Sequence, residues 1–221
     1  MTMGESDSCV LVLGSTGTGK STLIGFCTGE KVSVSAGTGE CTLNIIPYKE
    51  KGEGPYWIDS VGFDGTNSER SDEEAFQYVL QFLQNKNINS LKGLIWTVNP
   101  DNRESAKLQA QARLINKFKE NSIWENVIVV VKRSTGEPER DAAGAIAAAK
   151  RYNVNGNKIK VLGYSLVEEL DEDRKEFWLK QSKEDRNSMG IMSHKEARSI
   201  ILDTLKSLPP ELKVAFRIFN N

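Results

Sequence analysis

The chain has 221 residues, with 29 Lys plus Arg against 30 Asp plus Glu and a net charge of −1. That length suits one domain, and the near-neutral balance excludes a dominant non-specific nucleic-acid footprint. Three scattered cysteines (Cys9, Cys27, Cys41) and a single histidine, His194, exclude a disulfide framework, a cysteine zinc cluster and a histidine-based metal site or triad. They fit a reducing, cytoplasmic setting. No apolar run approaches the roughly 20 residues of a membrane span. Met1 to Ser8 is acidic and polar, and reads as a flexible N-terminus rather than a secretory signal.

Strand and helix patterns alternate along the chain. Cys9 to Leu13 is a short apolar run ending at Gly14. Thr22 to Thr28 reads as a helix, and Gly29 to Glu40 as a Gly/Ser/Thr-rich loop. Cys41 to Tyr48 alternates as a strand, and Pro55 to Asp59 is a second strand closed by Gly62 and Gly65. A short Gly-containing connection makes these two an antiparallel pair. Ser71 is placed to cap the next helix, with Asp72, Glu73 and Glu74 in its first turn. Phe76, Val79, Leu80 and Leu83 give that helix one buried face.

Leu94 to Val98 is a strand, and Arg103 to Lys119 a helix with Leu108, Ala112, Ile115 and Phe118 on one side. Val127 to Val131 has no polar residue, as in a central parallel strand covered on both faces. An alanine-rich helix over Glu139 to Arg151 and a strand over Lys158 to Leu162 follow. The remainder reads as helical, with a capping box at Ser193 and Glu196 and a short amphipathic helix over Glu211 to Phe219. Trp96, Trp124 and the cysteines read as core, and Glu168 to Arg186 as a solvated helical face. The expected fold is α/β in three layers, with a mostly parallel sheet, one antiparallel edge strand and a helical C-terminal extension.

One motif carries chemistry. Gly14-Ser-Thr-Gly-Thr-Gly19-Lys20-Ser21 matches G-x-x-x-x-G-K-[ST], after a strand and before a helix. Such a loop turns backbone N–H groups of Gly14, Ser15, Thr16, Gly17, Thr18, Gly19, Lys20, Ser21 and Thr22 toward phosphate oxygens. Lys20 is placed for the β- and γ-phosphates and Ser21 for Mg²⁺. The chain is therefore divided into residues 1–8, a P-loop domain over 9–165 and a helical part of the same domain over 166–221. At the end of a strand, Asp59-Ser-Val-Gly62 supplies a carboxylate for Mg²⁺ and a glycine N–H for the γ-phosphate. A threonine from the preceding loop would complete the metal site, and both Thr38 and Thr42 qualify.

The P-loop, Thr38-Gly39-Glu40-Cys41 and Asp59-Ser-Val-Gly62-Phe63-Asp64 together resemble the septin-like immunity-associated GTPases, also called paraseptins. The chloroplast import receptor GTPases are relatives of that group. The likeness covers Cys9 to Asn121. It implies a Ras-like domain, Mg²⁺-dependent GTP binding, slow hydrolysis and nucleotide-controlled self-association, as a homodimer or oligomer, with a protein effector. It selects Thr38, through the T-x-x-C pattern, as the first-switch threonine and metal ligand. Asp59 and Gly62 become the second switch. Some members present an arginine to a partner's nucleotide, and Arg103 stands in the corresponding loop, Asn99-Pro-Asp-Asn-Arg103.

Two positions depart from the pattern. Guanine choice normally rests on [NT]-K-x-D, whose aspartate accepts two hydrogen bonds from guanine. Here Val131-Lys132-Arg133-Ser134 keeps the lysine and replaces the aspartate, so ATP or relaxed base choice stays open beside GTP. Gly163-Tyr164-Ser165 is the expected last base-contacting loop, with Tyr164 either stacking on a base or packing on the next helix. The water-orienting glutamine is replaced by Phe63, which can neither donate nor accept. Low intrinsic hydrolysis follows, with Arg103 as the candidate catalytic group from elsewhere and Asp64 as a polar neighbour. A hydrolysis-poor scaffold is the first alternative. A P-loop kinase is the second, lacking an arginine-rich lid beyond Arg133, Arg140 and Arg151.

Overall fold

The computed structural model describes residues 8–32, 45–50, 52, 54–60, 62–63, 71–101, 103–118, 123–153 and 158–214. The main sheet contains β1 (Cys9–Gly14), β2 (Ile46–Lys49), β3 (Tyr56–Asp59), β5 (Gly93–Val98), β6 (Val127–Lys132), β7 (Lys160–Leu166) and β8 (Ile191–Met192). Its order is β2-β3-β1-β5-β6-β7-β8. Only β2 runs antiparallel to its neighbour, pairing Ile46 with Asp59 and Lys49 with Tyr56. A small second sheet joins β4 (Ser90–Leu91) to β9 (Leu212–Lys213), antiparallel.

The apolar runs are continuous because the central strands bury both faces. In β1, Cys9, Leu11 and Leu13 face one core, and Val10 and Val12 face the other. β6 does the same, with Val127, Val129 and Val131 on the first face and Ile128 and Val130 on the second. The first core is closed by α2 (Asp72–Asn85), α3 (Ala106–Asn116) and α5 (Ala143–Lys150). The second is closed by α1 (Lys20–Thr28) and α8 (His194–Lys206). Between β6 and β7, α4 (Pro138–Asp141) precedes α5, and the alanine-rich helix breaks at Ala142 (φ −96°, ψ 7°).

Ser193 makes the expected capping box with Glu196, and Ser71, expected as a cap, makes a full box with Glu74. α1 differs: it opens on Gly19 at φ 88°, with no side-chain cap. Its first N–H groups are therefore left to the loop and to whatever the loop holds.

The C-terminal part is mostly helical, with α6 (Glu172–Leu179) and α7 (Lys183–Ser188) burying no residue. It also returns β8 to the main sheet and β9 to β4. The helix expected over Glu211 to Phe219 instead begins as β9, and 215–221 lie outside the described residues. Gly163, Tyr164 and Ser165, expected as a loop, lie within β7 in register with β6 and β8. Among the described residues no helix is long and apolar enough to cross a membrane.

Candidate nucleotide site

The site lies at the C-terminal ends of β1, β3, β5 and β6, where the P-loop turns from β1 into α1. Lys20 is largely buried, and its ammonium donates to the carbonyls of Gly14 (3.1 Å) and Ser15 (3.0 Å). The charge is thus held inside the curve of the loop. Thr18 Oγ1 donates to the same Ser15 carbonyl at 2.7 Å and lies 2.7 Å from the Thr97 hydroxyl on β5.

Opposite the loop, β3 delivers Asp59, which is 2% exposed. The Ser21 hydroxyl donates to its Oδ2 at 2.7 Å. Its other oxygen, Oδ1, is buried with no hydrogen-bond partner. Burial holds this carboxyl above its ordinary range, against the pull of the Ser21 hydrogen bond and the Lys20 charge. A buried carboxylate oxygen left over beside a serine hydroxyl is the donor set of a hard divalent cation. Mg²⁺ takes one or two protein oxygens and completes its shell with phosphate and water.

Gly62 packs directly against Thr16, and any Cβ there would collide with the P-loop. The next residue, Phe63, donates its N–H to the Gly14 carbonyl at 3.1 Å, and its ring is fully buried in the first core. Phe63 therefore anchors the start of this segment.

The P-loop is also held from behind. Gln111 on α3 is 1% exposed. Its Oε1 accepts from the Trp96 indole N–H at 2.8 Å, and its Nε2 donates to Ser15 Oγ at 2.8 Å. The indole can only donate, so it sets the amide orientation. The clue in the sequence was a glutamine on the same face as Leu108, Ala112 and Ile115.

On the base side, the Lys132 side chain lies across Gly19, where a Cβ would come within 2.7 Å of its Cδ. Its ammonium pairs with Glu169 Oε1 at 2.8 Å, in the 3₁₀ turn Val167–Glu169 after β7. Ser134, in the aspartate's place, is buried and donates to Asp141 Oδ2 at 2.8 Å. Asp141 also accepts from Thr135 N–H at 2.7 Å and Thr135 Oγ1 at 3.1 Å. The Ser134 hydroxyl is thus turned inward, against Gly163 and Pro138.

The family model described as 50S ribosome-binding GTPase matches residues 9–133, more than half of the chain. The chain belongs to this P-loop GTPase family. Among solved structures it is similar to Toc33 from Arabidopsis thaliana in complex with GDP and Mg²⁺. That match has a TM-score of 0.65 and 16% identity, and covers 95% of this chain and 88% of that one. The Toc33 complex with Mg²⁺ and GMPPNP matches at TM-score 0.64 and 17% identity, over 94% and 88% of the two chains. A third structure, from work on atToc33 and psToc159, matches at 0.66 and 16%, over 94% and 86%. At these identities the likeness establishes the Ras-like α/β fold. No curated protein sequence matches.

In this GTPase the fold brings together the P-loop, Asp59, Gly62 and Lys132. Thr38, Thr42, Cys41 and Asp64 lie outside the described residues. Tyr164 is 2% exposed and takes the packing alternative, in the second core with its ring edge-on to Phe26. Arg103 is exposed on the loop from β5 to α3. That loop is pinned, with Arg103 N–H on Asp101 Oδ1 at 2.9 Å and Asp101 N–H on the Asp141 carbonyl at 2.8 Å. Gln111 and Glu169 are the site residues that sequence reasoning missed.

Proposed function

We propose that this GTPase binds GTP and GDP with Mg²⁺, hydrolyses GTP slowly as a single molecule, and works as a nucleotide-dependent switch whose self-association raises turnover. One observation carries the reading: the buried, unpartnered Oδ1 of Asp59 beside Ser21, at the mouth of an intact P-loop. The backbone N–H groups from Gly14 to Thr22 would cradle the phosphates. Lys20 would leave the Gly14 and Ser15 carbonyls for β- and γ-oxygens, and Gly62 N–H would face the γ-phosphate. Ser21 and Asp59 would hold Mg²⁺, with Thr38 closing from the first switch. The metal's chemistry is to neutralise charge building on the phosphate oxygens.

Slow turnover follows from Phe63, whose buried ring replaces the group that orients water. The pinned loop presents an exposed Arg103, a geometry suited to reaching a partner's nucleotide. An arginine finger of that kind raises rates about 10³–10⁵-fold. Dimerization is described as important for the GTPase activity of atToc33 and psToc159. With Ser134 committed to Asp141, the carboxylate beside Lys132 is Glu169. Glu169 is the group we assign to the guanine N1 and N2 hydrogens. The alternative, relaxed base choice including ATP, draws on the same inward Ser134. The buried free thiol at Cys27 fits a cytoplasmic setting, and nucleotide-dependent homodimers and an effector complete the picture.

Turnover per molecule, measured from nanomolar to high micromolar protein, tests this reading. We expect a low rate that climbs with concentration. A rate negligible at both ends would favour a hydrolysis-poor scaffold.

A further inference from the structure

β7 ends the long strands of the main sheet, and its outer side is only partly covered. β8 pairs with it solely at Ser165 and Leu166. Among the described residues no strand pairs with the outer side of Lys160 to Gly163. The direction of the backbone groups there follows from two hydrogen bonds. Ser165 N–H donates outward, to the Gly190 carbonyl, and the Tyr164 carbonyl accepts inward, from Ser134 N–H. Alternate residues of a strand point their N–H and C=O to the same side. Val161 and Gly163 therefore direct both groups outward, like Ser165. Among the described residues these four groups have no hydrogen-bond partner in the protein.

At Lys160 to Leu162 the edge opens into a cavity of about 830 Å³. Val161 and Ile146 form an apolar wall toward α5, and Leu162 forms one toward α8, beside Thr204. The rim is cationic: Lys150, Lys158 and Lys160 surround it, against one carboxylate, Glu139. Lys160 is held in place by the Ser207 carbonyl (3.0 Å) and hydroxyl (2.8 Å). Unpaired strand groups, apolar walls on both faces and a lysine rim together define an occupant.

We propose that the outer edge of β7 is a docking site for an extended, acidic segment of a partner protein, which adds to the sheet as a further strand. Val161 and Gly163 supply four main-chain hydrogen bonds, and alternate apolar side chains of the guest pack on one of the two walls, against Val161 and Ile146 or against Leu162. The lysines select acidic residues. They also oppose a second copy, because pairing two β7 edges would set lysine against lysine. The four-residue edge spans about 13 Å, enough for a short linear segment.

A dye-labelled peptide of eight alternating valine and aspartate residues, blocked at both ends, is the probe. Fluorescence anisotropy with the full chain is expected to show saturable binding. Methylation of the peptide's four central amides should abolish it, and exchanging aspartate for lysine should weaken it at least tenfold. The double charge reversal Lys150→Glu with Lys158→Glu, both on exposed side chains, should weaken it at least tenfold while leaving GDP affinity unchanged. Hydrogen exchange should slow at Val161 and Gly163 when the peptide is added. No binding up to about 1 mM, equal binding of the methylated peptide, or equal binding of the lysine peptide would overturn the proposal. So would protection of this edge that grows with protein concentration alone, which would mark a second copy as the occupant.

Discussion

Replacing Gln111 by leucine removes an amide that holds two partners and leaves the side-chain volume nearly unchanged. The Trp96 indole N–H then loses its acceptor in a fully buried setting. An unsatisfied buried donor costs about 1–3 kcal/mol. Ser15, which is only half-buried, can turn its hydroxyl toward solvent, so that loss is worth about 0.5–1.5 kcal/mol. The expected destabilisation is about 1.5–4.5 kcal/mol. In a chain of this length each kcal/mol moves Tm by about 2–4 °C, giving a fall of roughly 3–18 °C. The Ser15 carbonyl also receives Lys20 and Thr18, so GDP affinity should fall as well, by about tenfold for each 1.4 kcal/mol lost from the bound loop. Urea denaturation and calorimetric GDP titration measure the two effects. A leucine variant as stable as the wild type, with unchanged GDP affinity, would refute the reasoning.

Three other outcomes follow from the site. Lys20→Ala should abolish triphosphate binding, and micromolar binding retained in calorimetry would contradict the role given to the ammonium. Arg103→Ala should remove the concentration-dependent part of hydrolysis and leave nucleotide affinity nearly intact, because the side chain is exposed and its loop is pinned through the backbone; an unchanged concentration dependence would return Arg103 to the ordinary surface. Asp59, whose carboxyl is raised by burial, binds its proton more tightly folded than unfolded. It therefore costs the nucleotide-free protein stability as pH rises from the unfolded carboxyl value, and the cost is complete above the folded value. Asp59→Asn should raise nucleotide-free stability at pH 7, have little effect at acid pH, and remove the Mg²⁺ dependence of GTP affinity. Equal stability of the two proteins at pH 7 would contradict it.

The fold was legible where one local pattern sufficed. The all-apolar runs of β1 and β6 announce strands buried on both faces, and the Ser71 cap and the Ser193 box announce two helix starts. β8 and β9 were not legible, because two residues carry no period and their pairing is decided by distant segments. Gly163 reads as a turn by composition, yet sits in β7 because the close approach of Ser134 and Pro138 leaves no room for a side chain. The phosphate half of the site was legible because it is built from one contiguous loop and one strand end. The base half was not. Ser134 finds Asp141, and Lys132 finds Glu169, across segments whose meeting no local spacing reveals. Gln111 shows the same limit: its amide matters only because Trp96 and Ser15 arrive from other elements.

The measurement that bears most directly on the account is calorimetric titration of nucleotide-free protein with GTP, GDP, ATP and ADP, with and without Mg²⁺, for the wild type and Glu169→Gln. The account predicts tight, guanine-selective binding, with Mg²⁺ strengthening GTP, and a loss of guanine preference in the Gln variant at unchanged phosphate affinity. Equal binding of ATP and GTP by the wild type would contradict guanine reading by Glu169, and failure to bind any triphosphate would contradict the nucleotide site itself.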